Sequence, residues 1–78
     1  MKIADRLADR QHQWLELDRL CSRLESQRQR QLAADEVTRF AALYRSACAD
    51  LALADAYHLP PNTVRFLHQL VGRAHNQL

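Results

Sequence analysis

The chain has 78 residues, 47% of them hydrophobic and 26% charged, which fits one small globular domain and excludes disordered or collagen-like chains. A single glycine and two prolines exclude a β-sandwich or barrel, because those folds need a turn every few residues. Eleven Lys and Arg residues against nine Asp and Glu give a net charge of +2, whereas dedicated nucleic-acid binders carry a denser basic patch. The composition therefore predicts an all-α domain.

Apolar side chains in the first segment recur at intervals of three, four and seven, which is typical of one face of a helix. Arg10 is the one polar residue on this face. The pattern predicts a single helix over residues 3–27, followed by a polar connector at 26–31. The face consists of Ile3, Leu7, Trp14, Leu17, Cys21 and Leu24.

A second apolar face predicts a helix over residues 34–57. Asp35 and Glu36 lie in its first turn, where carboxylates complement the helix dipole. Its many alanines make most of its surface small, which indicates close packing against two neighbours. The face consists of Val37, Phe40, Tyr44, Ala47, Cys48, Leu51 and Ala54.

Two prolines end this pattern and begin a third helix. Pro60 pushes the residue before it out of the α region, and Pro61 suits the first turn of a helix over residues 61–77. The apolar pattern is still in helical phase at Leu78, so we expect the 78 residues to be the front of a longer protein.

Together the three helices predict an antiparallel three-helix bundle, a helical hairpin with a third helix packed on it. A bundle this small leaves apolar surface exposed, which is also compatible with a homodimer. The predicted core consists of Leu7, Trp14, Leu17, Cys21, Leu24, Phe40, Tyr44, Cys48, Leu51, Val64, Leu67, Val71 and Ala74.

No motif indicates catalysis, a metal or a cofactor, so we predict that the chain is not an enzyme. The four histidines form no H-E-x-x-H motif and pair with no cysteine at zinc-finger spacing. Ser46 and Thr63 have no neighbouring base, and one glycine cannot build a phosphate loop. Cys21 and Cys48 lie on apolar faces, which predicts free thiols.

Polar side chains beside the core are the candidate structural or interaction residues. Tyr44 needs a hydrogen-bond partner if it is buried. Asp50 adjoins Leu51, so a pair with Arg73 or Arg10 on another helix would satisfy its charge. Such groups are either solvated surface charges, a buried bond that fixes helix register, or a binding site. The candidates are Trp14, Tyr44, Arg45, Asp50, Arg73 and His75.

Residues 51–70 also weakly match a helix-turn-helix motif, so DNA binding through the third helix is the alternative function. The third helix would then turn Asn62, Arg65, His68 and Gln69 toward base edges. Few cations accompany them, and phosphate contacts supply most of the affinity for DNA, so nucleic acid is not the expected partner.

An ordered set of short motifs resembles the front of the bacterial stage II sporulation protein M family. The resemblance covers essentially the whole chain. Its motifs are Trp14, Leu17 and Leu20-Cys21, then Leu43-Tyr44-Arg45, Asp50-Leu51-Ala52-Leu53-Ala54, Pro61, Leu67, Leu70-Val71 and Arg73-Ala74-His75.

The resemblance implies an N-terminal helical domain that precedes several transmembrane helices. It places the domain on the cytoplasmic face of the bacterial inner membrane, with the membrane reached through a C-terminal part beyond these residues. Sporulating members of that family work with proteins that remodel septal peptidoglycan. We therefore expect a non-catalytic protein–protein interaction domain whose partner belongs to a membrane or cell-envelope complex.

Overall fold

The computed structural model describes residues 3–26 and 32–78, and within these ranges the chain is helical with no strand. The prediction of an all-α fold is confirmed. The predicted connector lies outside the described residues, apart from Ser26, which ends a helix. The four helices are α1 (Ile3–Ala8), α2 (Gln11–Ser26), α3 (Ala34–Ala56) and α4 (Pro61–His75).

The prediction of one uninterrupted helix over residues 3–27 is wrong, because a turn at 9–10 separates α1 from α2. The backbone N–H of Arg10 donates to the carbonyl of Leu7, only three residues back, at 3.0 Å. The carbonyl of Arg10 then accepts from the N–H groups of Gln13 and Trp14 at 3.0 and 3.2 Å and starts α2. The turn contains neither Gly nor Pro, which are the strongest sequence signals of a turn.

The three longer helices each contact the other two, and α1 contacts α3. Ion pairs join Glu16 to Arg39 and Arg23 to Glu36, so residue numbers rise along α2 while they fall along α3. The molecule measures 40 × 20 × 16 Å. Among the described helices α3 is the longest, and its 23 residues span about 34 Å.

The core differs from the predicted one mainly on α3. Several predicted core residues are only partly buried, namely Leu24, Tyr44, Cys48, Leu51, Val64 and Val71. The alanines of α3 make neighbouring faces almost equally apolar, so the pattern alone did not determine the rotation of the helix. The buried hydrophobic residues are Leu7, Trp14, Leu17, Leu20, Cys21, Phe40, Leu43, Ala47, Ala54, Leu67, Leu70 and Ala74.

A Schellman motif ends α3 and sets the direction in which the chain leaves it. The N–H of Leu59 donates to the carbonyl of Ala54 at 2.9 Å, and that of His58 to Asp55 at 3.3 Å. His58 has a φ of 53°, the left-handed conformation that favours glycine. Pro61 then begins α4 as predicted.

No helix among the described residues is long and apolar enough to cross a bilayer.

Replacing His58 with glycine should stabilise the fold. Left-handed backbone costs an L-residue about 1–2 kcal/mol, and the extra freedom of glycine in the unfolded chain offsets part of that gain. We expect His58→Gly to raise the free energy of unfolding by about 0.5–1 kcal/mol and Tm by about 4 °C in a circular-dichroism melt. Ala52→Gly, inside α3 and exposed, is the matched control and should lower Tm. A similar loss of Tm in both variants would contradict the prediction that the backbone at His58 is strained.

Candidate functional site

Asp50 is a charged residue in the apolar interior, only 3% exposed. It follows Phe40, Leu43 and Ala47 along the buried face of α3, at a position where the spacing would otherwise place an apolar side chain. Its Oδ2 atom accepts hydrogen bonds from Arg10 Nε at 2.7 Å and from Trp14 Nε1 at 2.8 Å. Of the two arginines that the sequence allows as partners, the structure brings Arg10 to Asp50.

Arg73 instead joins the last turn of α4 to α2. Its guanidinium donates to Asp18, to the hydroxyl of Ser22 at 3.1 Å, and to Glu25 at 3.0 and 3.1 Å. These contacts raise the pKa of Arg73 and lower that of Glu25. The three acceptors are spaced four and three residues apart on one face of α2, and this is the signal that could have identified them from the sequence.

Tyr44 and His75 join α3 to the end of α4. The Tyr44 hydroxyl lies 3.3 Å from Nδ1 of His75, and the ring centroids are 6.4 Å apart. A hydrogen bond to the Cys48 thiol raises the pKa of Tyr44. Arg45, the next residue, is exposed, and no ion pair or side-chain hydrogen bond joins it to the part of the chain that the structure describes.

The six candidate residues therefore do not form one site. Trp14 and Asp50 share a buried contact, Tyr44 and His75 share a second contact, and Arg73 belongs to a third. In residues 3–26 and 32–78, every buried side-chain nitrogen and oxygen has a hydrogen-bond partner. These polar groups join helices to one another.

Apolar side chains line a groove between α2 and α4, and of these Trp14 is buried and Phe66 is half-buried. Trp14 and Phe66 lie in it with ring centroids 6.3 Å apart, and Leu15 beside them is 56% exposed. Its volume is about 260 Å³. We call it the aromatic groove, lined by Gln11, Trp14, Leu15, Asn62, Thr63 and Phe66.

A second groove of about 540 Å³ lies where the chain turns from α3 into α4. Apolar and basic side chains both line it, together with one acidic residue, Asp55. We call it the turn groove, lined by Ala54, Asp55, His58, Leu59, Pro61, Val64, Arg65 and His68.

A third groove, of about 500 Å³, lies at the opposite end of the molecule, between the start of α3 and the residues that follow α4. Val37 and Leu78 border it and are 54% and 71% exposed. Over the described ranges, no three His, Cys, Asp or Glu side chains are grouped so that they could hold a metal ion.

Comparison with protein families identifies residues 5–78 as a match to the model described as a domain of unknown function, DUF8413. The chain belongs to this family. No curated protein and no solved structure is significantly similar to it. The family description names no activity, so the resemblance to stage II sporulation protein M stays a prediction.

Removing the charge partner of Asp50 should be costly. Arg10→Met leaves a buried carboxylate with only the neutral indole donor, and we expect the free energy of unfolding to fall by about 3 kcal/mol. Adding Asp50→Asn should recover part of this loss, because a neutral amide is less costly to bury than a carboxylate. Urea denaturation of both variants measures the difference. A double variant no more stable than Arg10→Met would contradict the assigned role of the charge.

Acid should weaken the contacts between helices. Arg73 lowers the pKa of Glu25 from its ordinary value of 4.5, and Arg39 does the same for Glu16. Both glutamates have a lower pKa in the folded chain than in the unfolded chain. Their ion pairs therefore stabilise the fold above about pH 4.5, and this stabilisation is lost as pH falls through the pKa values of the folded state. Denaturation curves between pH 7 and pH 3 should show this decline. In Arg73→Leu the free energy of unfolding should decline less steeply with falling pH than in the control Arg45→Leu. An equal decline in both variants would contradict the assigned effect of Arg73 on Glu25.

Proposed function

We propose that this chain is a non-catalytic helical interaction domain that binds a protein partner through the aromatic groove. In this proposal α2, α3 and α4 form an antiparallel three-helix bundle that presents the groove, and α1 is a short extension packed on α3. The exposure of Leu15 beside Trp14 and Phe66 is the observation that carries it.

The chemistry of the groove supports a protein partner. Aromatic side chains are enriched at protein interfaces, and a concave apolar surface with a polar border suits an apolar anchor residue of a partner. Asn62 and Gln11 supply that polar border. Two contacts hold the groove walls together: Trp14 donates a hydrogen bond to Asp50 on α3, and Arg73 joins α4 to Glu25 on α2.

The membrane context of the proposal rests on the ordered motifs that resemble stage II sporulation protein M. Several of those motif residues hold the helices together, as Tyr44, Asp50, Arg73 and His75 do. We propose that the domain precedes the transmembrane part of such a protein, on the cytoplasmic face of the bacterial inner membrane. Its partner would belong to a cell-envelope or peptidoglycan-remodelling complex.

The geometry favours this function over helix-turn-helix DNA binding. Asn62, Arg65, His68 and Gln69 are all exposed on α4, as that alternative requires. The contact of Tyr44 with His75, however, places the two helices side by side far from their connecting turn. In a helix-turn-helix motif the helices diverge at about 90–120°.

Site-specific photo-crosslinking tests the proposal in a bacterium that carries the natural gene. A photoreactive residue at position 15 should give an adduct with a second protein, whereas one at position 37 should not. Leu15 and Val37 are matched in exposure, at 56% and 54%, and only Leu15 lines the aromatic groove. The expected adduct should be found in the membrane fraction.

Three outcomes would overturn parts of this proposal. Equal adducts at both positions would refute the assignment of the aromatic groove. An adduct of twice the mass of the protein would replace the envelope partner with a second copy. A protein found wholly in the supernatant after cell fractionation would refute the membrane context and leave the interaction surface intact.

A further inference from the structure

The turn groove contains basic side chains that no other group of the described chain neutralises. His58, Arg65 and His68 line it, all three are exposed, and none has a side-chain hydrogen bond or ion pair with another described residue. Several other arginines are paired with carboxylates, as Arg39 is with Glu16, although Arg45 is not. Asp55 is the single acidic residue of the lining.

We propose that the turn groove binds an acidic peptide segment in which apolar residues alternate with carboxylates. This inference rests on the proposed function, because it describes the chemistry of a protein partner, and it concerns a surface distinct from the aromatic groove. The carboxylates would lie against Arg65 and the two histidines, and an apolar side chain would lie on the floor.

The floor of the groove distinguishes a peptide from other anions. Leu59, Pro61 and Val64 offer apolar surface and no charge there, and Ala54 lies fully buried beneath it. Inorganic phosphate and the phosphates of a DNA backbone have no apolar group to bury there. A volume of about 540 Å³ lies within the range of typical ligand sites, so it accommodates more than one side chain.

The polar groups of the lining suit carboxylates. The four charged or titratable groups are Asp55 on α3, His58 in the turn, and Arg65 and His68 on α4. The guanidinium of Arg65 and the ring N–H groups of the two histidines can donate hydrogen bonds to the carboxylates of a peptide.

Fluorescence anisotropy on the 78-residue protein tests the proposal with a labelled peptide of sequence Glu-Leu-Glu-Glu-Leu-Glu. The control peptide carries Gln in place of each Glu, and a labelled DNA duplex tests the nucleic-acid alternative. We expect the acidic peptide to bind, and both other probes to bind at least tenfold more weakly.

Three variants locate the binding. Arg65→Gln should weaken it about threefold to fivefold, as expected for one exposed charge pair, while Arg45→Gln on the outer face of α3 should change it less than twofold. Asp55→Asn should strengthen it.

Equal binding of the Glu and Gln peptides, equal effects of Arg65→Gln and Arg45→Gln, or preferential binding of DNA would each overturn this inference. Its failure is separable from failure of the proposed function. If the peptide does not bind while position 15 still crosslinks to a partner, only the inference about the turn groove is wrong. If the peptide binds and position 15 gives no adduct, the aromatic groove is wrong.

Discussion

The buried carboxylate of Asp50 is the constraint on which the arrangement of the domain depends. A charge in an apolar interior is tolerated only when hydrogen bonds compensate for lost hydration, and here the donors come from two side chains about forty residues away. Arg10 lies in the turn directly before α2, and Trp14 lies one helical turn later, within α2. The hydrogen bonds from Arg10 and Trp14 to Asp50 therefore fix the start of α2 against α3 and orient the indole ring toward Phe66. The aromatic groove is a consequence of this arrangement.

The bounds of α3 and α4 could be predicted to within two residues because their ends carry strong local signals. Asp35 and Glu36 mark the first turn of α3, and Pro60 and Pro61 mark the start of α4. The break between α1 and α2 could not be predicted, since tight backbone hydrogen bonds around Arg10 make it without Gly or Pro. The sequence also did not indicate which face of α3 is buried, because its alanines allow more than one face to pack against the other helices.

The candidate site could be predicted only where one residue was out of place in its own helix. Asp50 stands among apolar neighbours, so a charge partner on another helix could be expected, although spacing alone did not choose between Arg10 and Arg73. The grooves depend instead on which helices become neighbours. Leu15 and Phe66 are far apart in sequence, and nothing local indicates that they border the same surface.

Charge pairs between exposed side chains and the pair that includes the buried Asp50 differ in how strongly dissolved salt affects them. The contacts of Arg73 with Glu25 and of Arg39 with Glu16 are at the surface, where mobile ions screen them over a few ångströms. In the contact of Arg10 with Asp50 the carboxylate is buried, so dissolved salt weakens this contact less. High ionic strength would therefore loosen the last turn of α4 first, and the opposite end of the molecule would keep its shape.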